Sequence, residues 1–305
     1  MANAAGAAPG GHRNGFWGVL SLPGVAWLLA LFIVPFYAIA AVAFGRVDPI
    51  LRTPDPVWSP LSWDFSAINK VIDRVFGGDL GGVVVRTLSY VGVSLALCCL
   101  IGYPVAYYVA RHASRFRGLL LAALVMPFWI SYLMRMLAWV NLLQVDGYLN
   151  TVLGWLHLGG SRNWLDGDWS TVVIGLVYGY IPFFILPLYA ALERLDKRLI
   201  EAGRDLGASP ARVFRRITLP LSIPGLMAAS VITVLPMFGD YYTNTFLSSG
   251  SPRTEMVGNQ IERDLRGSSQ SQTGASLVLL LSAMLLVLMT YYLVVTVRAQ
   301  RSVAS

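Results

Sequence analysis

Six long apolar runs dominate this sequence and leave it few ways to fold. The first extends from about Trp17 to Phe44 and the second from Thr87 to Ala110, and neither holds a charge. The third extends from about Leu119 to Leu143 with Arg135 inside it, and the fourth from about Trp169 to Leu192. The fifth, from about Leu221 to Leu247, contains Asp240, and the sixth lies between Gly274 and Val297. About 20 apolar residues in a helix cross the hydrocarbon of a bilayer. Lipid offers backbone N–H and C=O groups no partner, so each run must satisfy its own as a helix. The expected fold is therefore all-α, a polytopic membrane protein with six transmembrane helices. Only 13% of residues are charged, where a soluble domain carries about 25%.

The chain divides around these runs. Residues 1–14 read as a disordered tail. Residues 15–85 read as a first helix with an external segment, 86–298 as the core of the bundle, and 299–305 as a second tail. The first run is much longer than a signal-peptide core and no A-x-A site follows it, so it reads as a retained helix.

Basic residues orient the bundle. The tails and the 111–118 and 193–220 loops together hold 13 Lys and Arg against 4 acids. The segments 45–85, 144–168 and 248–273 hold 8 against 11. Both termini are expected on the cytoplasmic side of the membrane that holds the chain. The net charge of +7 then follows from topology and calls for no nucleic acid.

The longest loop of the basic side, 193–220, carries the most local information. Asp196 suits the cap of a short helix. Leu199, Ala202, Gly203 and Leu206 recur on one face of it. Gly207 suits its left-handed end. Ser209 then suits the cap of a second helix with Pro210 at its first position, and Val213, Phe214 and Ile217 form its apolar stripe. Pro220 and Pro224 are expected to stop that helix before the fifth run. Such a hairpin fits an amphipathic element lying on lipid or a docking element for a cytoplasmic partner. A DNA-binding hairpin is disfavoured by two adjacent spans.

The stretch Glu201-Ala202-Gly203, Gly207 and Ile217-Thr218-Leu219-Pro220 resembles the EAA loop of ABC-importer permeases, with glycine replacing the second alanine. The stretch starting at Pro127, PFWISYLMRMLAWVNLL, and YGYIPFFILPLYAALERLDKRLIEA are similar to the spermidine/putrescine permeases of that family. So is PMFGDYYTNTFLSSG, which departs at Leu247-Ser248-Ser249-Gly250. The resemblance implies the type I ABC-importer permease fold and an importer of a small cationic solute. It implies that Glu201, Ala202, Gly203, Arg204, Asp205 and Gly207 couple to an ATP-binding cassette ATPase. A second homologous permease chain and an extracytoplasmic solute-binding protein complete the implied assembly.

The residues agree that a motor must come from elsewhere. A P-loop needs Gly-Lys-Ser/Thr, yet Lys70 and Lys197 are followed by Val71 and Arg198. No cofactor is expected in this chain, and ATP and Mg belong to the ATPase. No histidine lies within a span, and Asp240 is the only acid in one, so an embedded enzyme lacks an acid–base pair. A channel working alone would not need the loop motif.

Charges within a bilayer usually face a partner or a wet cavity. As straight helices, the third and fifth runs would carry Arg135 about 27 Å beyond Arg117 and Asp240 about 24 Å beyond Pro224. The two residues are then level, and they either pair or line a path, while snorkelling is an equal alternative for Arg135. Arg86, at a span end, reads as a snorkelling residue. Trp129, Tyr132, Trp139, Tyr241 and Tyr242 cluster near the same level. They suit an ammonium-attracting passage through their ring faces or, equally, an interfacial belt. The substrate path is expected to involve Asp240, Tyr241, Tyr242, Arg135, Tyr132 and Trp129.

Overall fold

A computed structural model describes residues 13–304 except 49, 51, 52, 114, 159–161, 268 and 269. The expected disordered tail falls mostly outside these residues, although Arg13 and Asn14 already belong to a helix. In chain order the helices are α1 (Arg13–Ala43), α2 (Ser66–Gly77), α3 (Asp79–Arg111), α4 (Arg117–Val125), α5 (Tyr132–Leu143) and α6 (Tyr148–Trp155). They continue with α7 (Trp169–Glu193), α8 (Lys197–Asp205), α9 (Pro210–Val213), α10 (Leu219–Phe238), α11 (Tyr242–Leu247), α12 (Val257–Arg266) and α13 (Ser271–Ala304). A two-residue antiparallel pair, Arg46–Val47 with Pro54–Asp55, follows α1. The fold is all-α, as expected.

Five helical stretches are long and apolar enough to span a bilayer, and a sixth candidate is a bent pair. The third run is that pair, turned by 90°. Pro127 lacks an N–H, the chain tightens into a 3-10 turn over Met126–Trp129, and Ser131 accepts the Met134 N–H at 3.3 Å to start α5. The fifth run is also broken. Helix α10 ends at Phe238, and α11 starts only at Tyr242. A distance counted along a straight helix therefore does not place Arg135, whereas Asp240 lies just past the end of α10.

The central helix is α7. Its Leu176, Phe184 and Leu188 are fully buried and pack with Cys98 and Ala106 of α3 and Met237 of α10. Small residues permit the close approach that lipid-embedded helices need. A side chain at Gly102 would come within 2.7 Å of Phe184 Cδ1, and one at Gly225 would overlap Ala191. Helix α1 packs on α13 at the bundle's edge, where Leu28, Phe32, Leu286 and Val287 stay exposed for lipid to cover.

The hairpin forms nearly as its sequence demands. Asp196 Oδ1 accepts the Arg198 N–H at 2.9 Å, Gly207 is left-handed with φ +79°, and Ser209 accepts the Arg212 N–H at 3.4 Å with Pro210 next in line. One expectation fails. Pro220 and Pro224 do not stop the second helix, because 210–238 is one helical stretch. A π-turn over Phe214–Thr218, closed by the Leu219 N–H on Phe214 O, precedes Pro220. On the one face of α8 that the spacing groups, Gly203 is buried while Leu199, Ala202 and Leu206 are exposed. The stripe is thus an outward surface, and only its glycine faces the fold.

Candidate functional site

Two regions collect the residues singled out by sequence. The first is the hairpin end of the bundle. Gly203 lies against α9 and the π-turn, so a methyl there would stand 2.7 Å from Ile217 Cδ1. The departure from the second alanine of the motif lets Ile217 seat without turning aside. Phe214 meets Tyr103 and Tyr107 of α3 edge-on, each with ring centroids 5.7 Å apart. Arg111 Nη2 donates to Leu195 O at 3.0 Å, and Arg117 pairs with Glu193. The hairpin is therefore bolted to the ends of α3 and α7. Glu201 shares a cavity of about 200 Å3 with Tyr107, Arg111, His112, Lys197, Ile200 and Arg204. Glu201, Ala202, Arg204, Asp205 and Gly207 are all exposed.

The second region is the break in the fifth span. Gly239, Asp240 and Tyr241 leave the helix, and Asp240, only 5% exposed, turns its carboxylate inward. Oδ1 accepts the Thr243 N–H at 2.9 Å, which satisfies a donor of the first turn of α11. Oδ2 accepts three hydroxyls: Thr243 at 2.6 Å, Tyr132 of α5 at 2.7 Å and Tyr180 of α7 at 3.0 Å. A buried carboxylate survives only with such partners. Glycines make the room. A Cβ on Gly179 would stand 2.8 Å from the Tyr132 hydroxyl, and one on Gly175 would stand 2.7 Å from Thr243 Cγ2.

Arg135 and Asp240 do not form an ion pair. The Arg135 guanidinium is enclosed by Phe128, Tyr132 and Tyr178, with its carbon 4.7, 5.1 and 6.0 Å from their ring centroids. At 7% exposed it does not snorkel. Tyr132 lies between the two charges, with its ring toward Arg135 and its hydroxyl on Asp240. Tyr241 and Tyr242 stack at 4.2 Å, and Tyr242 lies 6.1 Å from Tyr132. Trp129 stands apart, 84% exposed. Sequence reasoning missed Tyr180, Thr243, Phe128 and Tyr178. The paired tyrosines of Tyr178-Gly179-Tyr180, two hydroxyls flanking a residue without a side chain inside an apolar run, were a usable signal.

Outside the break, the chain from Thr254 to Asn259 is buried throughout. Arg86 Nη1 donates to the carbonyls of Pro252 and Glu255 at 2.8 and 3.3 Å, so it does not snorkel either. On α12, burial pushes the Asp264 carboxyl above the usual carboxylate range, opposed by the Gln260 amide and by Arg74 and Arg263.

Residues 102–303 match the family described as "Binding-protein-dependent transport system inner membrane component". The chain belongs to that family of inner-membrane permeases. This permease is 33% identical over 270 residues to the spermidine/putrescine transport system permease protein PotB of Haemophilus influenzae, covering 88% of this chain and 89% of that one. It is 32% identical to PotB of Escherichia coli, covering 78% and 82%. Among solved structures, a chain of a bacterial alginate ABC transporter, in complex with an alginate pentasaccharide-bound periplasmic protein, matches with a TM-score of 0.69 at 18% identity. That match covers 92% of this permease and 93% of that chain. The MetNI methionine ABC transporter, in an inward-facing conformation, matches at 0.52 and 21% identity, covering 72% and 95%. The fold is that of type I ABC-importer permeases.

Proposed function

We propose that this permease forms half of the transmembrane path of an ATP-driven importer for a small polyamine of the spermidine/putrescine class. The PotB likenesses support the cargo class, and Asp240 is the observation that carries it. Its carboxylate is the only acid inside the six apolar runs of the sequence, it is held by neutral hydroxyls, and no cation of this chain pairs with it among the described residues. An ammonium group brings a charge and three donors, so it can take the place of those hydroxyls on Oδ2. Tyr132 and Tyr180 belong to the third and fourth spans, so their displacement uncouples those spans from the fifth. Tyr241 and Tyr242 offer ring faces to the same cation.

In this reading both termini and the hairpin are cytoplasmic. The exposed face of α8, with Glu201 at its edge, docks on an ATP-binding cassette ATPase that uses ATP and Mg. A second homologous permease chain completes the path, and an extracytoplasmic binding protein delivers the solute. The hairpin's contacts with α3 and α7 make it a rigid handle, so ATP-driven motion of the docked subunits tilts the bundle between two states. The test is reconstitution of the complete complex in vesicles with the binding protein. Labelled spermidine or putrescine is expected to accumulate only when the ATPase has ATP. Accumulation without ATP, or of neutral solutes alone, would contradict the reading.

A further inference from the structure

We infer that the segment from Pro252 to Asn259, exposed at Pro252 and Arg253 and buried from Thr254 onward, is a strap that positions Asp240 from the outer side, with Arg86 and Asn259 as its positioning residues. One end is pinned to the second span. Arg86 holds the carbonyls of Pro252 and Glu255, and the Val257 N–H donates to Thr87 Oγ1 at 2.9 Å. The other end is pinned to the break in the fifth span. Asn259 Nδ2 donates to Tyr241 O at 2.9 Å and to Thr245 Oγ1 at 3.1 Å.

Between these ends, Gly258 lies directly on the break. A Cβ there would stand 2.6 Å from Asp240 O and 2.7 Å from Gly239 O, and backbone oxygens cannot move aside as a side chain can. Asn244 Nδ2 also donates to Thr254 Oγ1 at 2.7 Å, so α11 is tied to the same strap. Asp240 is thus gripped twice. Tyrosines of the third and fourth spans hold its carboxylate, and the strap holds its backbone against the second span. Any push on the outer surface of 252–259 moves the Asp240 backbone relative to its tyrosines.

The strap therefore keeps the break in its resting geometry until the outer face is engaged. Loosening it lets the bundle change state without solute, so that ATP is hydrolysed without import. This inference rests on the transport reading above, and the test separates the two. In the reconstituted complex, Arg86→Met removes the donors while keeping an apolar stem of similar length, and Arg86→Lys restores a donor. Arg86→Met is expected to raise ATP hydrolysis per solute imported by at least about tenfold, the equilibrium shift that one lost hydrogen bond to a charged group brings, and Arg86→Lys is expected to reverse most of it. Asn259→Leu is expected to act in the same direction. A merely structural role would lower uptake and hydrolysis in parallel with the amount of assembled complex, and that result, or an unchanged ratio, would overturn the inference. If the unsubstituted complex imports no polyamine, the cargo assignment fails, while hydrolysis in the absence of solute still judges the strap.

Discussion

Asparagine in place of Asp240 is expected to lower polyamine uptake at least about tenfold while leaving the assembled complex at its normal level, a loss of ~1.4 kcal/mol, near the low end for a hydrogen bond to a charged group. The change keeps the side-chain shape and one carbonyl oxygen. Tyr132, Tyr180 and Thr243 all meet Asp240 Oδ2 through hydroxyls, and hydroxyls can rotate to accept from an amide as well as donate. The Thr243 N–H retains an acceptor at Oδ1. What disappears is the charge, which the structure leaves without an ion-pair partner among the described residues of this chain. Asp240→Ala is a different experiment, because it strips the acceptor from two tyrosines and a backbone N–H at once. Each stranded donor costs about 1–3 kcal/mol, so that variant is expected to lose folded protein. Initial uptake rates normalised to the amount of purified complex make the comparison. Wild-type kinetics in the asparagine variant would leave Asp240 as no more than a cap for α11.

The second large effect is expected at the other end of the bundle. Among the described residues, the Glu201 side chain makes no hydrogen bond or ion pair within the chain, and it is exposed. Glu201→Ala therefore removes nothing the fold needs, and thermal stability of the permease is expected to change by less than ~0.5 kcal/mol. If α8 docks on the ATPase, an edge charge of the docked face is lost. Binding of the ATPase is expected to weaken about tenfold, within the range of an interface anchor, and uptake to fall with it. Measuring ATPase affinity alongside the melting temperature separates docking from folding. Normal assembly with normal uptake would remove Glu201 from the junction.

The hairpin was legible because its signals are local. Asp196, Gly207, Ser209 and Pro210 each act on backbone groups within a few residues, and each performs in the structure as its chemistry requires. The breaks were not legible, because proline means different things in different spans. Pro104, Pro182 and Pro187 sit inside unbroken helices, whereas Pro127 accompanies a 90° turn. Neighbouring helices decide which outcome a proline brings, and those neighbours are distant in sequence. Arg86 shows the same limit. Its carbonyl partners lie 166 and 169 residues away, so only its place at a span end was visible, and snorkelling was the natural reading. Tyr180 belonged to a stretch already noticed, yet its hydroxyl gained meaning only once the fifth span broke at Asp240. The exposed face of α8 inverts the usual rule that an apolar stripe faces its own core. Gly203 alone turns inward, because only a residue without a side chain leaves Ile217 its seat.

In the proposed reading the permease is a bundle switched by what grips its hairpin. The most direct measurement uses Ala202→Cys, on the exposed face of α8, in a complex assembled with its ATPase subunit. The native thiols Cys98 and Cys99 lie within a span. The introduced thiol is expected to react with a membrane-impermeant reagent only from the cytoplasmic side, and to cross-link to the ATPase in the intact complex. Labelling from the exterior, or a hairpin that cross-links to no ATPase while uptake proceeds, would contradict this reading.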